Sequence, residues 1–84
     1  MRGDCVIVRT YGGEPLARRV WDEDKHIVQI TNDEQFELLT EGKDALDPIG
    51  FPRSDVFRCD PELIPSVNQL YRDGKWDWNK LVPF

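Results

Sequence analysis

The sequence predicts a mainly β domain of the α+β class, a small five-stranded, partly open barrel with a short inserted helix and a C-terminal helical arm. Three observations carry that expectation. Asp4-Cys5-Val6-Ile7-Val8-Arg9-Thr10-Tyr11 and Pro15-Leu16-Ala17-Arg18-Arg19-Val20-Trp21 are rich in β-branched and aromatic side chains and flank Gly12-Gly13-Glu14. They read as a hairpin whose paired glycines take the positive φ angles of a tight reversal. His26-Ile27-Val28-Gln29-Ile30-Thr31 is a third run of the same kind, which makes a meander. The pattern then changes to a helical one and returns to short strands, the order expected of a small barrel with an insertion.

Each element has a local signal. Asp22-Glu23-Asp24-Lys25 is a polar turn between the second and third strands. Asn32-Asp33-Glu34-Gln35 resembles a capping box, with Asn32 as N-cap and acidic residues in the first turn, where they suit the helix dipole. Phe36 and Leu39 share a face, and Gly42 is placed to end the helix, so residues 33–41 are expected to be helical. A helix this short depends on packing against the sheet. Pro48 and Pro52 exclude a helix through Ile49-Gly50-Phe51 and mark a short edge strand. Ser54-Asp55 then turns into a last strand, Val56-Phe57-Arg58-Cys59.

The final segment differs in kind. Asp60-Pro61 and Ile64-Pro65 read as breaks, after which Pro65 and Ser66 open a helix with Val67, Leu70 and Tyr71 as its apolar stripe. Gly74 ends that helix, and Trp76, Trp78, Leu81, Val82 and Phe84 form an aromatic tail. Residues 1–60 are thus expected to form the barrel and residues 61–84 a helix and tail that pack on it.

Length and composition bound the possibilities. Eighty-four residues suffice for one modest core. No apolar run approaches the roughly twenty residues of a membrane span, and no charged-then-apolar leader is visible. The expectation is a cytoplasmic protein without a membrane association. Net charge is −5, but residues 1–21 carry Arg2, Arg9, Arg18 and Arg19 against Asp4 and Glu14. Residues 22–47 reverse the balance, with Asp22, Glu23, Asp24, Asp33, Glu34, Glu37, Glu41, Asp44 and Asp47 facing only Lys25 and Lys43. That acidic belt disfavours broad contact with phosphate backbones, which needs many Lys and Arg side chains.

Two stretches carry family resemblances. Gly50-Phe51-Pro52-Arg53-Ser54-Asp55-Val56-Phe57 resembles the turn before the final strand of Src-homology-3-type barrels, where a short helical turn leads into that strand. The Tyr-rich motif and paired tryptophans of the signalling domains are missing, so proline-rich peptide binding is not implied. Gly3-Asp4-Cys5-Val6-Ile7-Val8-Arg9 with Leu16-Ala17-Arg18-Arg19-Val20 resembles the hairpin of self-cleaving phage-type repressors and signal-peptidase-like proteases. That family's lysine base falls on Arg18, and its serine falls where this chain has Met1 and Arg2. Arginine stays protonated, with a pKa above about 12, and cannot activate a serine.

No other constellation supports catalysis. His26 is the only histidine, and its acidic neighbours do not supply the convergent ligand set of a metal site. Neither a metal nor another cofactor is implied. Ser54 and Ser66 are the only serines and stand in turn-forming contexts. Cys5 and Cys59 fall on the first and last strands and form a candidate thiol pair. Arg9, Arg18, Arg19, Trp21, Trp76 and Trp78 are the candidate binding residues; Trp76 and Trp78 either fold back with the tail to cap the barrel's open end or build an aromatic face beside Arg18 or Arg19. The reading is a non-catalytic interaction module whose partner is another protein. The alternatives are nucleic-acid binding on the Arg9/Arg18/Arg19 hairpin and a degenerate or partner-completed hydrolase.

Overall fold

The computed structural model describes residues 1–84. Five strands form one open antiparallel sheet: β1 (Cys5–Arg9), β2 (Pro15–Glu23), β3 (Ile27–Thr31), β4 (Ile49–Pro52) and β5 (Val56–Arg58), in the spatial order β4-β3-β2-β1-β5. Two helices, α1 (Asp33–Thr40) and α2 (Val67–Arg72), both pack against β2. The α+β class and five-strand count expected from the sequence are present.

The hairpin forms as expected, but with one left-handed glycine instead of two. Gly13 N–H donates to Thr10 O at 2.9 Å, and only Gly13 takes a positive φ, of 83°. Its position after the turn closes a three-residue loop with a bulge. The Thr10 hydroxyl fixes the far side by accepting from Glu14 N–H at 3.1 Å.

β2 runs two residues past its expected end at Trp21, through part of the polar cluster. The β2–β3 register shifts between Val20 and Asp22, so that Val20 faces Ile30 while Glu23 faces Val28. The extra residue bends β2 and lets acidic side chains occupy a paired strand. The turn itself belongs to Asp24, whose Oδ1 accepts from His26 N–H at 2.7 Å and Ile27 N–H at 2.8 Å.

α1 begins and ends as its sequence requires. Asn32 Oδ1 accepts from Gln35 N–H at 2.8 Å. At the other end Gly42 has φ of 73°, Lys43 N–H donates to Leu38 O and Gly42 N–H to Leu39 O. That pair of bonds is the Schellman stop, and α2 repeats it at Gly74, with Lys75 N–H on Leu70 O and Gly74 N–H on Tyr71 O.

Three consecutive residues of β1, Val6, Ile7 and Val8, are fully buried, so both faces of that strand are covered. Val6 and Val8 point to a core with Val20, Val28, Ile30 and Val56, against which Phe51 and Phe84 pack. Phe51 belongs to one edge strand and Val56 to the other, so the sheet curls until both edges share one core. Ile7 points the opposite way, beside its register partner Phe57.

The C-terminal segment corrects two expectations. Asp60-Pro61 does follow the end of β5, but Ile64-Pro65 is no break: it lies inside a 3-10 segment, Pro61–Ser66, capped by Asp60 Oδ1 on Glu62 N–H. Pro61 fits its first position, where no backbone donor is needed. Ser66 makes no side-chain cap to α2. The tail folds back, and Val82–Phe84 runs along the outer edge of β5. Arg58 N–H donates to Val82 O at 2.8 Å and Phe84 N–H to Val56 O at 3.1 Å. An edge strand carries unpaired backbone groups, and the tail satisfies them. No helix is long and apolar enough to cross a membrane.

Truncating the buried Ile7 to Ala is expected to cost about 3 kcal/mol, and Asn32→Ala about 1 kcal/mol through loss of the cap. Urea midpoints of the two variants, compared with the parent, measure both.

Candidate functional site

The candidate binding residues do not converge on one surface. Arg9 ends β1 and reaches across to the 3-10 segment Arg53–Asp55: its Nε donates to Asp55 Oδ1 at 3.1 Å and its Nη2 to Ser54 O at 3.2 Å. The same guanidinium lies over Phe57, 5.1 Å from its centroid, and over Trp78, 5.4 Å away. Arg19 holds the other end of the sheet, with Nε on Gly3 O at 2.8 Å, Nη1 on Asp33 Oδ1 at 3.3 Å and its cation over Phe36. Trp21 meets Phe36 edge-on at 5.7 Å and is covered by Arg2. Arg19 and Trp21 thus seat α1, while Arg9 seats the turn before β5.

Arg18 stands apart. It is half-buried, donates Nη1 to Ala17 O at 2.8 Å, and takes part in none of the ion pairs. Two shallow clefts use it as lining, one of about 430 Å³ with Gly3, Cys5, Arg19 and Ile64, and one of about 160 Å³ with Ile30, Leu46, Asp47 and Ile49.

Trp76 and Trp78 gather beside Arg9, and build no face beside Arg18 or Arg19. Asp77 caps the short 3-10 segment Trp78–Lys80, which ends the extended backbone assumed for the tail. Trp78 lies 5.1 Å from Phe57, and Trp76 meets Trp78 edge-on at 5.4 Å. The tryptophans are half-buried and cover the β5 side of the sheet. Trp76 Nε1 is buried without an acceptor, the single side-chain nitrogen or oxygen in that condition.

Sequence reasoning passed over Arg53, which has the densest set of bonds. Its Nη2 donates to Glu23 Oε1 at 3.0 Å and to Asp24 O, its Nη1 to Phe84 O at 3.2 Å, and its backbone N–H to His26 O at 2.9 Å. One side chain therefore joins the β2–β3 turn, the β4–β5 connection and the tail. Its only sequence signal was its place after Pro52, at the helical turn.

The open side of the sheet is β4. It has β3 on one side and no strand on the other. Ile49 in β4 and Leu46 just before it are 64% and 72% exposed. Leu46 is held in place by its N–H on Gln35 Oε1 at 2.8 Å. Asp47 lines the same cleft as Leu46 and Ile49 and has no ion-pair partner.

Cys5 and Cys59 are free and half-buried. The β1–β5 register pairs Val6 with Arg58 and Ile7 with Phe57; β5 ends there, so Cys59 lies just past the last strand instead of on it, and Cys5 and Cys59 are the residues next beyond the Val6–Arg58 pair. Burial first, then the hydrogen bond and charge of Cys5, push the Cys59 thiol up to about 12. His26 is exposed, and no group of three His, Cys, Asp or Glu residues converges as metal ligands.

Two carboxyls beside Arg53 are depressed. Glu23 is lowered by its hydrogen bond from the Met1 ammonium and then by that from Arg53; Asp24 is lowered by the backbone N–H groups of His26 and Ile27. Comparison with known proteins gives no match: no family model fits the chain, and no curated protein or solved structure matches it. Fold and surface define the class, an α+β domain with a curled, open antiparallel sheet.

A carboxyl with a lower pKa folded than unfolded adds stability that is complete above its unfolded value, about 4, and is lost as pH falls through the folded one. Urea midpoints are expected to hold between about pH 7 and 5 and to fall below about pH 4. Glu23→Gln with Asp24→Asn is expected to lower the neutral midpoint and flatten the acid limb. Trp76→Phe, which removes the unpartnered N–H, is expected to stay within about 1 kcal/mol of the parent, whereas Trp78→Ala loses about 2–3 kcal/mol. Thermal melts of the two variants separate these outcomes.

Proposed function

We propose that this chain is a non-catalytic protein-interaction module of Src-homology-3-like, small-barrel kind, acting in the cytoplasm. Its partner is an extended segment of another protein, apolar at alternate positions and flanked by Lys or Arg, which adds to the sheet as a strand beside β4. The single observation that carries this reading is the open edge of β4 next to the exposed Leu46 and Ile49. An unpaired edge supplies main-chain hydrogen bonds, and neighbouring depressions select alternate side chains. The cleft of about 160 Å³ lined by Ile30, Leu46 and Ile49 is of a size for one such side chain. Asp47, unpaired and lining that cleft, favours a basic residue in the partner.

The barrel part of the reading is supported by the strand order and by the 3-10 turn Arg53–Asp55 that leads into β5. Docking through the tail is less favoured, because Val82–Phe84 lies on β5 and Trp78 lies on Phe57. Nucleic-acid binding on the hairpin loses two of its three arginines to Asp55 and Asp33. A hydrolase lacks a nucleophile with a base beside it.

Selection of extended peptides from a random library is expected to enrich alternating apolar sequences with basic flanks. Titration of an enriched peptide should shift the amide resonances of Ile49, Gly50 and Phe51, weaken with added salt, and lose at least about tenfold affinity in Ile49→Lys, roughly 1.4 kcal/mol. Enriched peptides whose shifts centre on Trp76 and Trp78, or no enrichment at all, would overturn the β4 site.

A further inference from the structure

We infer that Cys5 and Cys59 are a reversible redox site, closing an intrachain disulfide across the β1–β5 seam when a small disulfide such as oxidised glutathione is in excess. The β1–β5 register ends at the Val6–Arg58 pair, and Cys5 and Cys59 are the residues next beyond it on the two neighbouring segments; at paired positions of an antiparallel ladder the Cα atoms stand about 4.5 or 5.5 Å apart. Both spacings lie within the roughly 4.4–6.8 Å that a disulfide spans. Side chains at facing positions of antiparallel strands leave on the same face, and both sulfurs open to the same cleft. Both residues are half-buried and free, and both line a cleft of about 350 Å³ with Asp4, Arg58, Pro61 and Phe84. That cleft is the path by which an oxidant reaches them.

The chemistry balances as two exchanges. Cys59 is held as the protonated thiol and donates Sγ–H to Asp60 O at 3.3 Å, so the first attack falls to Cys5. The Cys5 thiolate attacks one sulfur of the oxidised glutathione, forming a mixed disulfide and releasing one glutathione thiolate. Two of the influences that hold the Cys59 proton, the hydrogen bond and charge of Cys5, are thereby removed. Cys59 then attacks the Cys5 sulfur and releases the second glutathione. The two cysteine thiols give up two electrons and two protons, and one glutathione disulfide becomes two glutathione thiols. A reducing dithiol runs the steps backwards.

The bond would tie the first strand to the last, which are far apart in sequence, and would restrain the unfolded chain strongly. Equilibration of the full chain in glutathione buffers of graded ratio, followed by acid quench and alkylation under denaturing conditions, tests this. The expected result is coordinate loss of both thiols at monomer mass, a Cys5–Cys59 link in the unreduced peptide map, and a melting midpoint raised by at least about 5 °C. Cys5→Ala and Cys59→Ala should each stop at the mixed glutathione disulfide on the remaining thiol. Both thiols still alkylated in excess oxidised glutathione, a persistent mixed disulfide on the parent chain, or linkage only between chains would each overturn the proposal.

Discussion

The pairing of β1 with β5 is the contact on which the other features depend. It joins the first strand to the last, with Val6, Ile7 and Val8 aligned against Arg58, Phe57 and Val56. Through it Val56 reaches the same core as Val20, Val28 and Ile30, which commits the sheet to curl. Through it also Phe57 is held in place to receive Trp78, and the outer edge of β5 is presented to Val82–Phe84. Such long-range pairing must overcome the entropy of closing a long loop before any contact repays it. The continuous burial of β1 on both faces supplies the compensating apolar contact.

Arginine acts in this fold mainly as a strut. Arg2, Arg9, Arg19 and Arg53 each lie over an aromatic ring and each donate to a backbone carbonyl. A planar guanidinium with a fork of donors can stack, bond and carry charge at once, which an ammonium cannot. In a chain with a small aliphatic core, these stacks tie loops and termini to the sheet. The consequence for function is subtraction. The positive charge that makes the first twenty-one residues look like a ligand surface is largely turned to internal partners, and the exposed character at β4 is apolar, with Asp47 beside it.

The local elements were legible because each rests on a signal contained within a few residues. The β-branched runs, the Asn32 cap, and Gly42 and Gly74 at the helix ends all act through neighbours in sequence, and all were placed within a residue or two. The end of β2 was misread because a bulge near Trp21 is decided by which side chains of β3 it must face. The tail was misread for a similar reason: Asp77 caps a 3-10 segment and the free edge of β5 recruits Val82–Phe84, neither of which is a property of the tail's own composition. Of the candidate site, the neighbourhood of Cys5 and Cys59 followed from their strands, whereas the separation of Arg9, Arg18 and Arg19 did not.

By itself the sequence determined the class of fold, the strand and helix inventory, the helix stops and the sign of the charge in each segment. Those follow from backbone preference, side-chain period and counting, which need no knowledge of distant residues. Only the tertiary structure decided which arginines are engaged by the chain's own carboxylates, that Arg53 joins three separate segments, and that the tail covers the β5 edge while the β4 edge stays open. Those outcomes depend on how close residues far apart in sequence come to one another, and hydrogen bonds and ion pairs act only over a few ångströms.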